Sequence, residues 1–285
     1  MRRLMSPIAA LLCAFLAPGL LFAQGPSNLR PSVPTRMPEP STDLVLSVRE
    51  APLNLVPPSA SVRLAPQLAL ECYQRKLQAQ AQYLAEYSAA TTIHAELPSS
   101  SQQGEFELVR HYTAPNTLQF KAVKFSGDGF VKSNVITRLL QSEVEHVSKG
   151  ESAQTAISPD NYKFNYKGLE TVDNQPTYAF EVKPRQKRPG LFKGKIYLDV
   201  FSGGLRKAEG VVVKSPSFWV KKIEFVQEYA DFGTFTFPVH MHSVANTRLI
   251  GQAVVDVTIR DYVPTSLTDL TYGQLSTAGP SPQGK

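Results

Sequence analysis

Residues 177–200 read TYAFEVKPRQKRPGLFKGKIYLDV, two alternating runs on either side of a basic turn. In the first, Tyr178, Phe180 and Val182 point one way while Thr177, Glu181 and Lys183 point the other. In the second, Phe192, Gly194, Ile196, Leu198 and Val200 alternate with Lys193, Lys195 and Asp199. A period of two is the mark of a strand with one buried face. The segment between the runs is shorter than the crossover of about a dozen residues that parallel strands require, so the two runs are antiparallel neighbours.

The same pattern extends in both directions. Trp219, Ile223, Phe225 and Tyr229 alternate with Lys222, Glu224 and Glu228, and Ala253, Val255, Val257 and Ile259 alternate with Gln252, Asp256, Thr258 and Arg260. Similar runs occupy residues 88–96, 105–112, 118–125, 162–169, 206–214 and 234–245, for about ten strands in all. The links are turn-like: Asp173-Asn174, Ser202-Gly203-Gly204, Asp231-Phe232-Gly233 and residues 246–251. Two segments have helical spacing instead. Leu70, Tyr73, Leu77, Ala81 and Leu84 form one stripe of a helix expected over residues 67–87, and Ile136, Leu139, Leu140, Val144 and Val147 form that of a second over residues 134–147. The predicted class is α+β, a curved antiparallel sheet forming an incomplete barrel, with two helices covering its concave face.

Flanking this domain, expected over residues 67–263, the composition changes. Residues 1–23 carry Arg2 and Arg3, an apolar run, and Leu21-Phe22-Ala23 before Gln24, the order of a secretion signal cleaved after Ala23; if retained, the same segment would tether the domain to a membrane. Residues 24–66 hold nine prolines among Ser, Thr and Asn and read as an extended, disordered tether, with residues 43–48 as the single strand-like stretch. Residues 264–285 read as a disordered tail. Cys13 leaves with the signal, so Cys72 has no partner for an internal disulfide and reads as a half-buried inert thiol.

Removing Arg2 and Arg3 lowers the formal charge of +6 by two, too mild an excess for a nucleic-acid binder. Nucleophile elbows, zinc-protease and dithiol motifs and a phosphate-cradling loop are all missing from the sequence, so no enzyme is expected and no cofactor is implied. His240 and His242 share one strand face as two metal ligands would, but no carboxylate is evident beside them and a solvated face is expected. Glu143 and Glu145, like Glu224 and Glu228, read as solvated surface. The basic residues Lys183, Arg185, Lys187 and Arg188 read either as a solvated turn or as a docking surface for anionic headgroups or an acidic partner, each adding ~1 kcal/mol near a charged membrane.

The motifs Tyr178-x-Phe180-x-Val182-x-Pro184, Leu191-Phe192-x-Gly194-x-Ile196-x-x-Asp199 and Lys214-x-Pro216-Ser217-Phe218-Trp219, with Tyr229, Gly233, Pro238, Gly251 and Asp261-Tyr262, resemble the exported proteins related to outer-membrane lipoprotein carriers, the LolA/LolB-like group. The resemblance implies an incomplete barrel closed by helices with acyl chains between them, and a lid-latching arginine that the sequence assigns to no single position. The ligand class implied is a lipid or acylated molecule, since each buried methylene gains ~0.8 kcal/mol. Tyr73, Leu77, Leu84, Phe180, Ile196, Leu198, Trp219, Phe225 and Val257 are the expected cavity or core residues. The alternative from the same residues is a non-enzymatic cell-envelope interaction module with a filled core, whose partner is a membrane surface or an envelope protein.

Overall fold

Ten strands lie side by side in one sheet: β1 (Leu84–Leu97), β2 (Gln102–Thr113), β3 (Thr117–Gly127), β4 (Tyr162–Val172), β5 (Gln175–Pro184), β6 (Phe192–Asp199), β7 (Leu205–Val212), β8 (Val220–Phe232), β9 (Phe235–Thr247) and β10 (Gln252–Ser266). The computed structural model describes residues 62–215, 220–248 and 251–267. The expected signal, residues 43–48, Trp219 and the chain after residue 267 lie outside the described residues.

The order across the sheet is β3-β2-β1-β10-β9-β8-β7-β6-β5-β4, with every neighbouring pair antiparallel. From β4 to β10 the chain meanders, each strand hydrogen-bonded to the next. Asp173 and Asn174 both take positive φ, 48° and 60°, in the tight turn between β4 and β5. The first and last strands meet in mid-sheet, where Ile93 stands opposite Val257. The two free edges, β3 and β4, are therefore consecutive in sequence. The chain passes between them through α2 (Gly129–Val131), a π-helical turn (Lys132–Ile136), α3 (Thr137–Ser148) and α4 (Ser152–Thr155). The sheet stays open.

Helix α1 (Pro66–Tyr83) starts with Pro at its first turn, where a missing N–H costs nothing. It ends when the Leu84 N–H bonds back to the Gln80 carbonyl. Leu84, expected on the helical stripe, belongs to β1. Its spacing from Ala81 and Leu77 fits a helix, but Leu84 and Tyr87 are buried as residues of a strand that runs on through Leu97. Helix α1 buries Ala69, Leu70 and Tyr73 against the inner faces of β5 to β8, in a core holding Phe180, Ile196, Leu198 and Phe225. The Tyr73 hydroxyl donates to the Ile157 carbonyl at 2.9 Å. At Gly203 a Cβ would lie 2.6 Å from the Ala69 carbonyl oxygen, so the β6–β7 turn packs directly beneath α1. Cys72 sits at this contact, half-buried, and accepts from Arg75 at 3.3 Å.

Helix α3 covers the other half. Leu139, Leu140 and Val147 pack on Ile93, Leu108 and Val257 in a second core. Glu143 corrects the expectation of a solvated carboxylate: its side chain is wholly buried. Four residues from Leu139 and four from Val147, it shares the phase of the apolar stripe, and the strand beneath it provides the reason.

Candidate functional site

That reason is Arg110, on β2 between the buried Leu108 and Tyr112. Its two terminal nitrogens donate to the two Glu143 oxygens at 2.9 and 3.3 Å, and its Nε donates to Thr91 Oγ1 at 3.2 Å. Burial by itself would make Arg110 easier to deprotonate, but Glu143 and then Tyr87 overcome this and hold the guanidinium charged. Burial pushes the Glu143 carboxyl up from its ordinary range, against the downward pull of Arg110. Helix α3 is thereby fixed to the concave face by a two-pronged, charge-assisted contact inside an apolar core.

From Arg110 an aromatic wall runs toward the end of α1. Tyr87 stacks on Tyr112 with centroids 5.3 Å apart and lies 5.1 Å from Phe237, which stacks on Tyr262 at 4.4 Å and 7°. Phe232 closes on Tyr262 at 5.0 Å. The phenols are engaged elsewhere: Tyr262 donates to the Pro238 carbonyl at 2.8 Å and Tyr112 to that of Pro115 at 2.9 Å.

Where this wall reaches the surface there is an open cleft of about 620 Å³, lined by Ala79, Gln80 and Tyr83 of α1, Phe232 to Phe235 of the β8–β9 turn, and Pro264 and Ser266 of β10. No lining side chain is charged. Gln80 Oε1 accepts from the Thr236 N–H at 2.8 Å, joining the end of α1 to the start of β9. The cleft thus combines apolar surface with a few amide and hydroxyl groups, the usual composition of a small-molecule site.

The expected cavity residues are distributed differently. Tyr73, Phe180, Ile196, Leu198 and Phe225 are buried in the α1 core, with Leu77 packed against it, and Leu84 and Val257 are buried in the α3 core. None of them lines the 620 Å³ cleft. The basic loop divides in two. Arg185 donates to the Pro159 carbonyl at 2.7 Å, and Arg188 donates to Asn161 Oδ1 at 2.8 Å and the Gln154 carbonyl at 3.3 Å, so both brace the connection from α4 to β4. Lys183 and Lys187 are exposed. Glu181 bridges Lys167 at 3.0 Å and Lys183 at 3.1 Å, and these two lysines hold its carboxyl below the ordinary range.

The register also supplies the carboxylates that the sequence hid from the histidine pair. His242 Nδ1 lies 2.8 Å from Asp256 Oδ1 on β10, and His240 lies 3.7 Å from Glu228 on β8. Among the described residues, no group of three or more His, Cys, Asp or Glu is disposed to hold a metal ion. No helix among them is long and apolar enough to cross a membrane.

Fold and site together define an α+β protein with an open, curved antiparallel sheet whose concave face is capped by helices. No family model matches the chain, and no curated protein does. Among solved structures it is similar to an outer membrane lipoprotein-sorting protein domain from Vibrio parahaemolyticus, at 13% identity and a TM-score of 0.38, over 74% of this chain and 99% of that one. It is similar also to a LolA superfamily protein from Nitrosomonas europaea, at 12% identity and a TM-score of 0.35, over 73% and 97% of the two chains. A MucA/MucB complex from Pseudomonas aeruginosa follows at 11% identity and a TM-score of 0.24, over 73% and 96%. Likeness of this degree assigns neither ligand nor partner.

Proposed function

We propose that this protein is an extracytoplasmic carrier or binding protein for a lipid or other acylated ligand, exported by residues 1–23 and set on the proline-rich tether of residues 24–66. The observation that carries the reading is the 620 Å³ cleft, free of charged side chains and walled on one side by Phe232 and Phe235. An acyl chain laid against that wall gains ~0.8 kcal/mol for each methylene removed from water, and the Gln80 amide and Tyr83 hydroxyl offer hydrogen bonds to an ester or carboxyl at the mouth. Catalysis has no part in the proposal.

A second reading, the envelope interaction module, is favoured by the dense packing of Tyr73, Phe180, Ile196, Leu198 and Phe225, which fill the core. In that case Lys183 and Lys187 form part of the working surface.

The two readings separate in one experiment. Protein purified from an envelope-bearing host is extracted for lipid mass spectrometry, then titrated with a fluorescent fatty acid. A carrier retains lipid and binds the probe saturably, with displacement by unlabelled fatty acid. Absence of both signals overturns the carrier and leaves the module.

A further inference from the structure

The two sheet edges differ. Helix α3 packs along β3, whereas β4 has β5 on one side and, among the described residues, no strand on the other. On the concave face of β4, Tyr166 is 44% and Leu169 is 51% exposed, although their register partners Phe180 and Tyr178 are buried. The opposite face carries Lys163, Lys167 at the β-bulge between Tyr166 and Gly168, and Glu170, whose carboxylate is taken by Lys195 at 2.9 Å; Lys163 stands directly across from Lys183. Lys163 forms no ion pair among the described residues, and the single carboxylate serving Lys167 and Lys183 is Glu181. The edge therefore presents the apolar Tyr166 and Leu169 on one face, Lys163 and Lys167 beside an already paired Glu170 on the other, and backbone groups between them.

We infer that β4 is a docking edge for an extended acidic strand of another polypeptide, one alternating apolar residues with Asp or Glu. Pairing by backbone hydrogen bonds sets successive side chains of the added strand on opposite faces, apolar ones against Tyr166 and Leu169 and acidic ones beside Lys163 and Lys167. The charge pattern also chooses between occupants. A second copy paired antiparallel about Asn165 would set Lys163 of one chain opposite Lys167 of the other, and like charges directly opposed are unfavourable. Lysines on a sheet edge oppose such self-pairing. They attract an acidic strand by the same charge. The site is remote from the cleft at α1 and does not depend on the carrier reading.

The probe is a synthetic peptide of about ten residues alternating Val and Glu, the length of an ordinary strand, compared with its Val and Lys counterpart. With intact protein, the Val and Glu peptide slows amide exchange along β4 and the Lys counterpart does not. The pair Lys163→Glu and Lys167→Glu weakens the acidic peptide about tenfold and turns the preference toward the basic one. Because Lys167 bridges to Glu181, Lys163→Glu alone is measured as well and shifts the preference in the same direction. Replacing Tyr166 and Leu169 by Ser weakens both peptides. The inference fails if β4 gains no protection, if protection falls elsewhere, or if charge reversal leaves the preference unchanged. It fails also if β4 is protected by protein concentration alone, which marks a second copy. Capture by phosphatidylglycerol vesicles without peptide binding would overturn it in favour of a membrane surface.

Discussion

Arg110 and Glu143 face each other with both side chains wholly excluded from solvent, joined by hydrogen bonds of 2.9 and 3.3 Å between β2 and α3. Such a pair costs desolvation on both sides, so its net contribution is small, but half of it is costly. Glu143→Leu leaves a buried guanidinium with its carboxylate gone and the neutral Thr91, Tyr87, Tyr262 and Phe120 ring around it, and is expected to destabilise the fold by about 3–5 kcal/mol. The double variant Arg110→Met, Glu143→Leu should recover most of that loss. Urea midpoints at unchanged slope decide the matter; a double variant as unstable as the single one would show that the pair itself supplies the stability.

His146 lies near the end of α3 with Nε2 3.1 Å from Thr155 Oγ1 and Nδ1 3.5 Å from Glu151. Thr155 donates its own proton to the Ser152 carbonyl, so the imidazole is the donor in the first contact. Burial lowers the His146 pKa from its ordinary 6.5; Glu151 pulls it up, and Lys149 adds to the lowering. Below 6.5 the unfolded chain takes up a proton that the folded site resists. This contribution is therefore complete above that pH and is lost as pH falls through the window down to the folded value. The urea midpoint should drop as pH is lowered below 6.5, and in His146→Gln, which keeps a donor without the titration, it should drop less.

Much of this fold was legible because the apolar pattern is local. All ten strands follow period-two runs such as Tyr178, Phe180 and Val182, and the turns at Asp173-Asn174 and Ser202-Gly203 stand where short polar links predicted them. What escaped depends on partners distant in sequence. Nothing within residues 88–96 says that Ile93 will meet Val257, and that pairing is what makes consecutive strands β3 and β4 the two free edges. The clamp that fixes α3 to the sheet was hidden by charge. Arg110 and Glu143 occupy buried phases of an alternating strand and a helical stripe, but each alone reads as an interruption of the pattern. Their register would have exposed them: a charged residue flanked by Leu108 and Tyr112, and another between Leu139 and Val147, each need a buried counter-charge. His242 and Asp256 were separated for the same reason, since only the β9–β10 register brings them opposite.

Gly194 and Gly210 stand directly across from each other on β6 and β7, and neither strand has room there for a side chain. A Cβ on Gly194 would fall 1.9 Å from the Glu209 carbonyl oxygen, and one on Gly210 would fall 2.4 Å from that of Lys193. Both obstacles are backbone, so the strands must separate. Gly194→Ala is expected to cost about 2–3 kcal/mol and to raise amide exchange in β6 and β7. Gly129→Ala, which meets nothing within 4 Å, is the control and should leave the urea midpoint unchanged or raised.

Ala79 is exposed on the last turns of α1 and its methyl faces the cleft, so enlarging it occupies the cleft without entering either core. Ala79→Trp removes no hydrogen bond, because the tie between α1 and β9 is made by the neighbouring Gln80 to Thr236. As a surface substitution it should move stability by no more than about 0.5 kcal/mol. If an acyl chain lies against Phe232 and Phe235, the indole takes its place, and fluorescent fatty acid affinity should fall about tenfold, the loss of roughly two buried methylenes. Filling the opposite, charged groove offers the contrast. Val211→Trp, beside Lys193 and Lys195 in the outer groove of about 640 Å³, should leave fatty acid binding as it was. Equal loss from both variants would mean that the probe is held by neither groove in particular, and undiminished binding to Ala79→Trp would move the acyl site away from the end of α1.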